Sequence, residues 1–110
     1  MDIKAYVNKI YALSRETLTA TEKEAEVKKL EGEIIGVSDS DGKLKAKKLG
    51  LLQTLHSAAG LMPWKRLEKQ LHIAALRHRV GLPIHQKDMA ALGLIAAAPV
   101  DDVNAELAAA

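Results

Sequence analysis

Apolar residues three and four positions apart recur along most of this chain, and that spacing constrains its fold more than any other feature. Ile3, Val7, Ile10 and Leu13 form one stripe, Val27, Leu30, Ile34 and Val37 a second, and Leu44, Leu51, Leu52 and Leu55 a third. Side chains at those intervals share one face of a helix. No stretch alternates apolar and polar residues with β-branched enrichment, so no strand is predicted. The expected fold is all-α, a compact bundle of five or six short amphipathic helices. A chain of 110 residues fits one domain. At that length it buries about two-thirds of the surface its unfolded form exposes. Residues 1–110 are therefore read as a single helical domain, with 98–110 as a peripheral C-terminal helix or tail. The core must be aliphatic, because Phe is absent and the aromatics are Tyr6, Tyr11 and Trp64. Cysteine is absent too, which excludes disulfides and thiolate metal sites.

Local signals place the helix ends. Asp2 suits the cap of the first helix. Thr21-x-x-Glu24 reads as a capping box for the second, and Gly36 as its end. "GVSDSDGK" is a loop whose Asp is expected to cap the third helix, about Lys43 to Ala59. It is no calcium loop, since Val37 and Lys48 would occupy ligand positions that need carboxylates. Gly60 and Pro63 break the chain again. The helix from Trp64 to Val80 is expected to bury Trp64, Leu67, Leu71 and Ala74 or Ala75, with Ile73, Leu76 and Val80 on a neighbouring stripe, and to expose Lys65, Lys69, His72 and Arg79. Gly81 and Pro83 end it. A helix from Ile84 to Ala97 would turn Met89, Leu92 and Ala96 inward, and Asp101 would cap a last one.

Charge is unevenly spread. Residues 1–40 carry a net −2, residues 41–87 a net +8 and residues 88–110 a net −4, with all four histidines in the basic middle. Lys43, Lys45, Lys47 and Lys48 crowd the start of the third helix, facing the positive end of its dipole at a cost of about 0.3–1 kcal/mol each. Helix stability does not explain them, so they call for a partner inside or outside the chain. Arg77, His78 and Arg79, at the other end of a helix, are favourably placed to meet its last carbonyls.

Gln86-x-x-Met89-Ala90 resembles the opening of a helix-turn-helix. The expected turn glycine, however, stands one residue early at Gly93, and the segment that would face DNA carries Asp101, Asp102 and Glu106 without a base. No nucleophile elbow, Walker loop or dinucleotide turn occurs. His72 and His78, six apart, leave one helix on different sides. Glu68 and His72 are within reach of each other, most simply as a surface ion pair. An enzyme is not expected, nor a cofactor, a bound metal or a small-molecule substrate. The longest uncharged stretch, Leu49 to Trp64, is too short and too polar to span a bilayer, and no apolar leader follows Met1. A cytoplasmic location and no membrane partner are therefore expected.

The function expected is that of a small protein-interaction or assembly module, binding another protein or itself, with Met89, Leu92, Leu94 and Ile95 as docking residues. The alternative is electrostatic, sequence-independent binding of nucleic acid by Lys43, Lys45, Lys47, Lys48, Lys65, Arg66, Lys69, Arg77, Arg79 and Lys87.

Overall fold

The computed structural model describes residues 1–95, and among these the chain is all-α, with five helices and no strand. They are α1 (Ile3–Arg15), α2 (Ala20–Ile35), α3 (Lys45–Ala58), α4 (Arg66–Arg79) and α5 (Gln86–Ala91). α3 is the hub: α1, α2 and α4 all pack on it, α2 also touches α1, and α5 packs on α4. The core joins Ile10 of α1, Val27, Leu30 and Ile34 of α2, Leu51, Leu52 and Leu55 of α3, and Leu76 and Val80 from the end of α4. The stripes of the first three helices thus meet through their central residues, while Ile3 stays exposed and Val37 and Leu44 lie half-buried beyond the helix ends.

The ends of the helices show why each stops. Asp2 caps α1 by accepting from Ala5 N–H at 3.1 Å. The capping box of α2 lies two residues earlier than predicted. Thr19 Oγ1 accepts from Glu22 N–H and Glu22 Oε1 accepts from Thr19 N–H, while Glu24 pairs with Lys28 one turn on. Two Thr-x-x-Glu frames overlap in "TLTATEKE", and the backbone uses the first. Gly36 ends α2 as expected, and Gly32 approaches no other helix. Asp39 accepts from the N–H of Leu44, the residue before α3, at 3.1 Å and so anchors the loop, but no side chain caps the first turn of α3 as the sequence suggests, and Gly42 makes the turn at φ +71°. Helices α3, α4 and α5 share one terminating device. In each, a glycine at positive φ (Gly60, Gly81, Gly93) lets the next N–H reach back five residues, Leu61 to His56, Leu82 to Arg77 and Leu94 to Met89.

Two sequence expectations fail in the second half. α5 is a six-residue helix ending before Gly93, not a helix from Ile84 to Ala97, and none of its residues is buried. α4 starts after the Pro63–Lys65 connector, and Trp64 and Leu67 point outward at 99% and 74% exposure. α4 has apolar residues on two sides, and periodicity cannot choose between them. The side carrying Leu76 and Val80 enters the core. The predicted last helix, at 98–110, lies outside the described residues.

Candidate functional site

The same rotation of α4 that leaves Leu67 outside carries His72 inward and brings Arg79, which stays exposed as expected, into reach of Glu31. There they meet two polar groups placed on the apolar faces of α2 and α3. Glu31 stands between Leu30 and Ile34 on the buried side of α2 and is 5% exposed. His56 follows Leu55 on the buried side of α3 and is 8% exposed. The four side chains form one hydrogen-bonded chain. Arg79 Nη1 donates to Glu31 Oε2 at 2.8 Å, His56 Nε2 meets Glu31 Oε1, and His56 Nδ1 meets His72 Nε2 at 2.8 Å. The two rings lie edge-on, 4.9 Å apart and inclined by 63°.

Charge explains the arrangement. Burial would push the Glu31 carboxyl up, but the Arg79 hydrogen bond, then the His56 hydrogen bond, and the charges of both outweigh it and hold the group below the ordinary carboxylate range. Burial lowers His72, repulsion from His56 lowers it further, and attraction from Glu31 only partly offsets them. With Glu31 ionised, His56 Nε2 must carry a hydrogen. A single proton then lies on the line between His56 Nδ1 and His72 Nε2, donated from one side or the other. Every buried side-chain nitrogen and oxygen among the described residues has a partner. A cavity of about 550 Å³ opens beside Glu31 and His56, lined also by Lys23, Val27, Lys28 and Leu61. The cluster joins α2, α3 and α4 to one another through one run of hydrogen bonds. No group of three or more potential metal ligands occurs among them.

The predicted basic contact set does not form one surface. Lys48 is inside the fold, 5% exposed. Its ammonium donates to Ile35 O at 2.9 Å and Val37 O at 2.6 Å, closing the C-terminal end of α2. Lys45 lies over the turn after α4, where a Cβ on Gly81 would stand 3.3 Å from its Cε. The internal partner that the lysine cluster called for is thus found for Lys48, at the carbonyl end of α2, while Lys45 lies close to the Gly42 and Gly81 turns. Arg77 donates from Nε and Nη2 to Pro83 O and holds the loop after α4, while Arg79 is taken by Glu31. Lys43, Lys47, Lys65, Arg66, Lys69 and Lys87 remain exposed. Glu68 is exposed, and His72 turns to His56 rather than to it.

The predicted docking residues are split. Leu94 is exposed, while Met89, Leu92 and Ile95 are half-buried. A larger apolar exposure lies elsewhere, where Leu61, Trp64 and Leu67 stand out around the start of α4. No helix among the described residues is long and apolar enough to cross a membrane.

Sequence reasoning missed Glu31 and His56, although a signal was present. Both are polar residues set within apolar stripes, and buried polar groups of that kind need partners. Comparison with protein-family models, with curated proteins and with solved structures finds no match to this chain.

Proposed function

We propose that this chain is a small, non-enzymatic helical module that binds another protein, or itself, through the outward face at the start of α4. The observation that carries the reading is the exposure of the one tryptophan: Trp64 is 99% exposed and Leu67, three residues on, 74%. Trp is the residue most enriched among those that dominate binding energy, because it buries a large area with few rotors. Lys65, Arg66 and Lys69 flank it, which suits a partner with an acidic rim. Two readouts test the proposal. Sedimentation over a range of concentrations reports self-association, and immobilised chain reports retention of a partner. Either signal is expected to fall at least about tenfold in Trp64→Ala and Leu67→Asp, the loss of about 1.4 kcal/mol. A monomer at every concentration, retaining nothing that these variants fail to retain, would overturn it.

Electrostatic binding of nucleic acid is the second reading, and it rests on the six cations that stay exposed, Lys43, Lys47, Lys65, Arg66, Lys69 and Lys87. It requires affinity for unrelated duplexes that falls with salt at a slope of about 0.9 per phosphate contact. Titration of a labelled duplex at two salt concentrations separates the readings.

A further inference from the structure

We infer that His56 and His72 are one proton-binding site that fastens α4 to α3, keeping its hydrogen bond with one added proton and losing it with two, so that acid releases α4. The count of hydrogens decides this. With both rings neutral and Glu31 ionised, His56 holds its hydrogen on Nε2 for Glu31, and His72 Nε2–H donates to His56 Nδ1. A first added proton goes to the outer nitrogen of His72. Equivalently, it goes to His56 Nδ1 while the His72 hydrogen moves to its own Nδ1. Either way one hydrogen remains on the 2.8 Å line between the rings. A second added proton puts N–H against N–H on that line and two cations edge to edge. The hydrogen bond cannot survive, and the pair titrates as a coupled unit.

The groups around the pair do not relieve that clash. α2 supplies Glu31, with Lys23, Glu24 and Lys28 around the adjoining cavity; α3 supplies His56; α4 supplies His72 and Arg79. The Glu31 carboxylate is already shared by Arg79 and His56. Among the described residues, no hydrogen bond reaches the cluster from α1 or α5. α4 packs chiefly on α3 and α5 and is tied to α2 by the Arg79–Glu31 hydrogen bond, and Gly60 at φ +72° and Pro63 in its connector give it a hinge from which to respond. Release of α4 follows whether or not a partner docks on its outer face.

Native-state amide exchange, corrected for the intrinsic rate, tests the inference at about pH 7.5 and in steps down to about pH 5, the range over which histidine titrates. In the wild type, opening of α4 is expected to grow by up to about tenfold per pH unit below the His72 transition, the effect of one proton, with α1 and α2 changing less. His72→Gln can donate to His56 Nδ1 or accept from it and takes up no proton, so its α4 protection is expected to stay level. Ring titration of the wild type by nuclear magnetic resonance gives a second readout if that variant fails to fold: the two rings are expected to titrate in linked steps. Unchanged α4 protection in acid, an equal acid response in His72→Gln, or two cationic rings with α4 still protected would overturn the inference.

Discussion

Lys48 shows how a single residue changes meaning between sequence and structure. In the sequence it is one of four lysines at an unfavourable helix start; in the fold its ammonium closes two carbonyls at the end of α2. Lys48→Met keeps the stem and removes both hydrogen bonds, leaving buried carbonyls unpaired. A loss of about 1–3 kcal/mol is expected in urea unfolding. Lys47→Met, one position away and exposed, is expected to change stability by less than about 0.5 kcal/mol. Equal effects would remove the structural role assigned to Lys48. Glu31 and His72 set the pH response, and both act in one direction. His72 is harder to protonate in the fold than at its ordinary value of 6.5, so it favours the folded chain at higher pH. That contribution is lost as pH falls from about 6.5 through the lowered value. Glu31 lies below its ordinary 4.5, so its contribution is present above 4.5 and is lost as pH falls through its own lowered value. Urea midpoints measured in pH steps are expected to fall in two stages on acidification, and Glu31→Gln is expected to remove the lower one. A midpoint that rises between neutral pH and about pH 5 would contradict the assignment of His72, and one that does not fall further below 4.5 would contradict that of Glu31.

Among the elements, α2 offers the sharpest comparison, because two threonines compete for its start. Thr19 makes the capping box, so Thr19→Ala is expected to cost about 1 kcal/mol and Thr21→Ala close to nothing. The reverse order in thermal unfolding would restore the frame read from sequence. The stripes of α1, α2 and α3 were legible because each of those helices has one continuous apolar side. The Asp2 cap and the glycine ends were legible because their chemistry is local. α4 was not, because Leu67 and Leu71 compete with Leu76 and Val80 for the core and nothing within the helix decides between them. The decision comes from elsewhere: only the observed rotation gives Glu31 and His56 their partners Arg79 and His72. The cluster itself was hidden by distance along the chain, with Glu31 and Arg79 48 residues apart and His56 and His72 16 apart. Its trace was the polar residues Glu31, Lys48 and His56 lying within apolar stripes.

At the scale of the whole molecule, these contacts describe a core built on α3, with α4 held by its polar side and presenting an apolar one to the outside. The charge pattern of the sequence is partly internal wiring: Lys48, Arg77 and Arg79 serve the fold, while Lys43 and Lys47 stay exposed at the start of α3 and Lys65, Arg66 and Lys69 stay exposed next to Trp64 in the chain. The rotation of α4 is the central claim, since the buried cluster and the docking face both depend on it. Trp64, in the connector that leads into α4, reports on how the chain enters the helix, being the one tryptophan in the chain. The measurement is quenching of its fluorescence by a neutral quencher, in dilute native protein and in the urea-unfolded chain. With Trp64 99% exposed, the two quenching constants are expected to agree within about twofold, and the native emission to be that of indole in water. Blue-shifted emission and a native indole protected about tenfold or more would mean that the Trp64 side of α4 is buried, as periodicity alone suggested, and would contradict the orientation described here.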